Sequence, residues 1–130
     1  MQTAGDILIA DDDTAIVELI AEVLGEAGYP VRCVHDGQSA IEAIAAARPM
    51  LVLFDFHMPG ARESLFPEGS HCDSLVDLPM VVMTADSYAV QQFSAQGRAC
   101  LAKPFTLEQL LDCVASALPL SERAVSGQLG

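Results

Sequence analysis

Three consecutive carboxylates, Asp11-Asp12-Asp13, follow the first short apolar run of this 130-residue chain. Asp55 closes a later apolar run, Thr84 a third, and Lys103-Pro104 follows the last. Lys103 is the only lysine in the sequence. Carboxylates held close together repel one another, and a metal-free cluster raises the pKa of one of them. A hard divalent cation relieves that repulsion, and Mg²⁺ favours a few carboxylates together with waters and a phosphate oxygen. A lone ammonium among the acids either neutralises them as an ion pair or binds an incoming anion, and Thr84 adds a hydroxyl donor. Cation, ammonium and hydroxyl around one carboxylate are the requirements of an aspartyl phosphate, because phosphoryl transfer is catalysed mainly by positioning and charge stabilisation. Taken singly, each residue is ordinary. An acidic cluster is commonly a solvated helix start, with Asp13 or Thr14 as the cap, and a Thr or Lys after a strand is commonly a turn or surface residue. Their joint placement at the ends of four apolar runs outweighs the ordinary reading.

The elements that must position these residues alternate. Short apolar runs at 7–10, 31–34, 50–54, 80–83 and 99–102 predict strands. The uninterrupted run at 50–54 suits a strand buried on both faces. Between them lie helical patterns. Ile16, Leu19, Ile20, Val23, Leu24 and Ala27 recur at helical spacing, with Glu18, Glu22 and Glu26 on the other face and Gly28 at the stop. Asp36-Gly37 opens an Ala-rich helix that ends near Arg48-Pro49. Thr106 with Gln109 three positions later forms a capping-box pattern, and Leu107, Leu110, Leu111, Val114 and Leu118 make one apolar stripe. The segment 61–78 is expected to hold a third helix, short or irregular because Pro67 and Gly69 interrupt it. Alternating strands and helices imply βαβ units: an α/β fold with a doubly wound, five-stranded parallel sheet and about five helices. In such a sheet the carboxyl ends of neighbouring strands converge on one crevice. That aims Asp11 and Lys103 at one site although 103 − 11 = 92 positions separate them.

Composition narrows the function classes. The 18 acidic residues exceed the 6 basic ones by 12, which argues against nucleic acid and an anionic membrane surface as direct partners and fits a divalent cation or a basic partner. Setting aside Asp11, Asp12, Asp13 and Asp55 leaves 18 − 4 = 14 acids, so most of the surplus is a solvated surface. The length suits one domain able to bury a core without metal or disulfide staples. The N-terminus carries no basic and apolar leader pattern, and a cytoplasmic location is expected. Cys33, Cys72, Cys100 and Cys113 form no CxxC pair and are expected to be reduced, buried thiols. A zinc cluster of His57, His71 and Cys72 lacks the spacing of a known ligand frame.

Four stretches together carry a resemblance: Ile-Leu-Ile-Ala-Asp-Asp-Asp at 7–13, Leu-Phe-Asp-Phe-His-Met-Pro-Gly at 53–60, Val-Val-Met-Thr-Ala at 81–85 and Leu-Ala-Lys-Pro-Phe at 101–105. In this order and spacing they resemble the receiver domain of bacterial two-component response regulators, of the chemotaxis-regulator type. The resemblance spans residues 7 to about 118, so it implies a receiver domain over 1–118 and leaves 119–130 as a polar tail expected to be disordered. It implies a flavodoxin-like sheet of order 2-1-3-4-5 and a cis Lys103-Pro104 bond. It makes Asp55 the phosphoacceptor, with Asp11, Asp12, Asp55 and the backbone carbonyl of His57 holding Mg²⁺. Thr84 and Lys103 would bind the phosphoryl oxygens beside a small Ala85. The implied partners are a sensor histidine kinase or histidine phosphotransfer domain upstream and a downstream protein or output domain. No turnover enzyme is implied beyond self-catalysed phosphoryl transfer and autodephosphorylation.

Three departures accompany the resemblance. Cys100 stands where the family usually has an aromatic residue, Cys113 where winged-helix regulators usually carry an arginine, and the 61–78 segment is irregular. His57 and Asp86 are expected to face one another at the rim and, with Cys100, to modulate phosphate lifetime and switching. Tyr88, Val90 and Phe93 lie on the expected fourth helix, as core or as a docking face. Two rival readings stand beside the main one. One is a phosphorylation-independent scaffold on the same fold. The other is a Mg²⁺-dependent phosphohydrolase of the haloacid dehalogenase-like type, whose signature Asp11-Asp12-Asp13-Thr14-Ala15 meets only in part.

Overall fold

The computed structural model describes residues 5–60, 78–95 and 99–118, the side chain of Phe93 aside. The order of elements is β1 (Ile7–Ala10), α1 (Thr14–Glu26), β2 (Val31–Val34), α2 (Gly37–Ala46), β3 (Leu51–Asp55), β4 (Met80–Thr84), α3 (Ser87–Ala95), β5 (Ala99–Ala102) and α4 (Leu107–Ala117). The strands form one parallel sheet of order β2-β1-β3-β4-β5, as expected. Four helices lie among the described residues; the helix expected within 61–78 falls on residues almost wholly outside them, as does the 119–130 tail.

The sequence pattern explains the layering. Each residue of β1 and β3 is buried, because these inner strands are covered on both faces. Ile7, Ile9, Leu51, Leu53, Val81 and Met83 turn one way and pack with Val17, Ile20 and Leu24 of α1 and Leu110 and Val114 of α4. Leu8, Ala10, Val52, Phe54 and Val82 turn the other way, onto Ala40 and Ile44 of α2 with Met58 and Leu78. The period of two along each strand thus feeds two cores. Register brings the strand ends level: Ala10 lies opposite Val34 and Phe54, Asp55 opposite Met83, and Thr84 opposite Ala102.

The helix starts are set by side chains. Asp13 caps α1 by accepting from the amides of Ala15 and Ile16. Asp36 caps α2 through the Ser39 amide at 2.7 Å, and Thr106 and Gln109 form the expected capping box of α4. Gly28, at φ 100°, takes the left-handed turn that ends α1 and that side chains disfavour.

The structure corrects three expectations. The buried face of α1 centres on Val17, which is 3% exposed, while Leu19 is 43% exposed. At 100° per residue, Val17, Ile20 and Leu24 align, and Leu19 falls outside that arc. Leu107 is in phase with its stripe yet 48% exposed, because it sits in the first turn of α4, one turn before Leu110 reaches the sheet. The thiols are less buried than expected: Cys33 is exposed on the outer strand β2, and Cys100 and Cys113 are half-buried. Cys72 lies outside the described residues. Desolvation pushes all three described thiols above their ordinary value.

Candidate functional site

The four strand ends meet. Asp11, one residue past β1, is wholly buried, and the Lys103 ammonium lies 2.9 Å from its Oδ2. The same ammonium is 3.7 Å from Oδ1 of Asp55 at the end of β3. Asp11 Oδ1 accepts the Asp13 amide at 2.9 Å, so both oxygens of this buried carboxylate are engaged. Asp12 is exposed, yet carboxylate oxygens of Asp11, Asp12 and Asp55 all lie within 4.8 Å of one another. Burial, followed by the charge of Asp11, raises the Asp55 carboxyl above its ordinary value; Lys103 and the His57 amide work against that shift, and Asp12 adds to it.

Thr84 closes the site from β4. It is wholly buried, and its Oγ1 accepts the Asp86 amide at 3.0 Å, which leaves its own proton to donate. The Lys103 amide donates to the Thr84 carbonyl at 2.9 Å, tying the two strand ends together. The Lys103-Pro104 peptide is cis, as expected. Ala85 is exposed beside them and helps to line an open groove of about 280 Å³ with Ile16, Leu19, Lys103, Pro104 and Phe105.

The expected rim pair does not form. Asp86 Oδ1 accepts the amides of Tyr88 at 2.9 Å and Ala89 at 3.4 Å and so closes the first turn of α3. The exposed His57 ring instead lies edge-on to Phe56, with centroids 5.3 Å apart. No ion pair joins His57 to Asp86 among the described residues. An Asp immediately before a helix prefers to satisfy free amides locally, and that preference wins here. The loop carrying His57 is anchored elsewhere: Gly60 adopts φ 77°, and the Gly37 amide donates to the Pro59 carbonyl at 2.8 Å. Cys100, in the position expected to be aromatic, places its thiol 3.9 Å from the Val90 carbonyl of α3. Tyr88 is 68% exposed and is therefore not core. The zinc cluster drawn from His57, His71 and Cys72 involves residues outside those described.

Sequence reasoning missed His35. It follows β2 and places Nδ1 3.1 Å from the backbone carbonyl of Asp11. The signal was available: the ends of the first, third, fourth and fifth apolar runs were read for polar residues, whereas the second run also ends in a polar pair, His35-Asp36.

A parallel α/β sheet with an acidic cluster, a buried threonine and a lysine at its carboxyl edge defines a class, and comparison with known proteins assigns the family. Residues 7–115 match the sequence profile described as the response regulator receiver domain, and the chain belongs to that family. It is 40% identical over 110 residues to the response regulator MprA of Mycobacterium ulcerans, which covers 81% of this chain and 46% of the relative. The chain thus spans about half the length of that curated relative. Among solved structures, it resembles the chemotaxis response regulator CheY4 of Vibrio cholerae, with a TM-score of 0.74, 25% identity and coverage of 89% of this chain and 100% of that one. It also resembles NtrX of Brucella abortus, with a TM-score of 0.70 and 28% identity over 92% of this chain and 28% of that one. The flavodoxin-like, chemotaxis-regulator-type fold is therefore shown, and the chain is a two-component receiver domain. No helix among the described residues is long and apolar enough to cross a membrane.

Proposed function

We propose that Asp55 accepts a phosphoryl group from the phosphohistidine of a sensor histidine kinase or histidine phosphotransfer domain. The observation that carries this reading is the Lys103 ammonium, 2.9 Å from Asp11 and 3.7 Å from Asp55. It already occupies the place from which a phosphoryl oxygen on Asp55 would be neutralised.

The donor set fits Mg²⁺. Three carboxylates whose oxygens lie within 4.8 Å face one ammonium, and burial, followed by the charge of Asp11, raises the Asp55 carboxyl. Asp11, Asp12 and Asp55, with the backbone carbonyl of His57, would hold the ion. When bound, Mg²⁺ supplies neutralisation of the charge that gathers on the transferring group. An Asp55 oxygen forms the new bond to phosphorus as the bond to the donor imidazole breaks, and the imidazole keeps the electron pair. Lys103 draws one phosphoryl oxygen, and the Thr84 hydroxyl donates to another in a space that Ala85 leaves open. The His57 ring, exposed at the rim, modulates how water reaches the phosphate. Asp86 acts there through the start of α3, and Cys100 through its contact with that helix. Autodephosphorylation resets the module, and the altered surface signals to a downstream protein or output domain in the cytoplasm.

Asp55→Asn tests this directly. Incubation with a phosphorylated kinase, or with a small phosphodonor and Mg²⁺, should give one acid-labile, hydroxylamine-sensitive phosphate per chain in the parent and none in the variant. Such a phosphate on the variant removes Asp55 from the role, and a parent that is never labelled leaves the fold as a scaffold.

A further inference from the structure

We propose that His35 is a positioning residue for the cation-binding loop, acting through the backbone of Asp11. This rests on the reading that Asp11 and Asp12 hold a divalent cation. The β1–β2 register ends at Ala10 opposite Val34, and the Asp11 amide donates to the Val34 carbonyl at 3.2 Å. Beyond that point the loop leaves the sheet. The His35 ring follows it there, with Nδ1 3.1 Å from the Asp11 carbonyl. A carbonyl oxygen only accepts, so Nδ1 carries the proton in this contact.

Four contacts then hold Asp11 in place: Val34 on its amide, His35 on its carbonyl, and Lys103 and the Asp13 amide on its carboxylate. The carbonyl that His35 grips belongs to the peptide group joining Asp11 to Asp12, so its orientation sets the direction in which the exposed Asp12 side chain leaves the loop. Asp12 has no capping duty of its own, since Asp13 supplies the α1 cap. The ring therefore orients the one carboxylate of the cluster that burial does not hold. Groups that orient a ligand from one step behind it change metal affinity by about 10–100-fold when removed. Because His35 acts through the main chain, the lower end of that range is expected.

The test is calorimetric titration of the folded, unphosphorylated protein with Mg²⁺ alone, for the parent, His35→Leu and His35→Asn. Asn can place its amide donor close to the position of the imidazole Nδ1, whereas Leu has none. His35→Leu should bind Mg²⁺ about tenfold more weakly, and His35→Asn should recover to within about threefold of the parent, with the urea midpoints of all three alike. Unchanged affinity in His35→Leu overturns the proposal, as does a loss that Asn does not restore. If the leucine variant fails to fold, His35→Gln, whose donor reaches the Nε2 position instead, takes its place with the same expectation. ¹⁵N–¹H correlation spectra of the His35 ring provide an independent reading: a neutral ring protonated only at Nε2 overturns the proposal. A parent that binds no Mg²⁺ overturns the cation reading itself, which separates that failure from failure of His35 alone.

Discussion

Replacing Lys103 by methionine keeps most of the side chain's length and removes its charge. The variant leaves Asp11, wholly buried, without the ammonium 2.9 Å from its Oδ2, and Asp55 without the one 3.7 Å away. Breaking a buried ion pair by removing one partner costs about 3–5 kcal/mol, whereas an exposed pair is worth about 0–1 kcal/mol. The Lys103 side chain is 20% exposed, so screening brings the expected loss to about 2–3 kcal/mol. For a domain of this size that lowers the thermal midpoint by about 6–12 °C. Urea unfolding and thermal melts in EDTA measure it. Mg²⁺ should narrow the gap, because the variant no longer repels the cation and mass action then favours its folded state. Combining Lys103→Met with Asp11→Asn closes a double-mutant cycle. A buried amide needs no ammonium, so the double variant should be more stable than Lys103→Met alone. A loss below about 1 kcal/mol in EDTA, or a cycle without coupling, would refute the view that this pair is the electrostatic centre of the site.

Two further outcomes follow from the geometry. Asp55 is held above its ordinary carboxyl value of 3.8 by burial and by Asp11. A carboxyl raised in the folded state contributes stability that is present below its unfolded value and lost as pH rises through the folded one. In EDTA, Asp55→Asn should therefore be more stable than the parent at pH 7, with the difference closing below the ordinary carboxylate range; equal urea midpoints at pH 7 would contradict this. Thr106→Ala removes the hydroxyl that accepts the Gln109 amide at 3.0 Å in the capping box of α4 and should cost about 1 kcal/mol in urea unfolding.

The strands were legible because an inner parallel strand must be apolar on both faces: 50–54 announced itself as a run without a single polar break. The site was legible for a related reason. Where such runs stop, a charged residue marks the point at which chain leaves the core, and a parallel sheet collects those points on one edge. The phase of α1 was less legible. Apolar residues cover more than half its circumference, so Val17 and Leu19 were interchangeable in the pattern until the sheet selected one. Asp86 illustrates a different limit. Its type suited either a rim partner or a helix start, and only the placement of the Tyr88 and Ala89 amides decides between them. His35 stood visibly at the end of the second run, but its contact is with a main-chain carbonyl, which residue spacing does not reveal.

The sheet order gives the Lys103–Asp11 contact a mechanical meaning. β5 lies at an edge, with β4 and β3 between it and β1, and most of its residues are only partly buried or exposed. Apolar packing alone would let such a strand peel away first. The ammonium that follows it reaches across both intervening strands to a wholly buried acid, so the edge cannot detach without stranding a charge at the centre. The edge strand is thereby enrolled in the unfolding of an inner one, and any anion that draws Lys103 away from Asp11 slackens that strap.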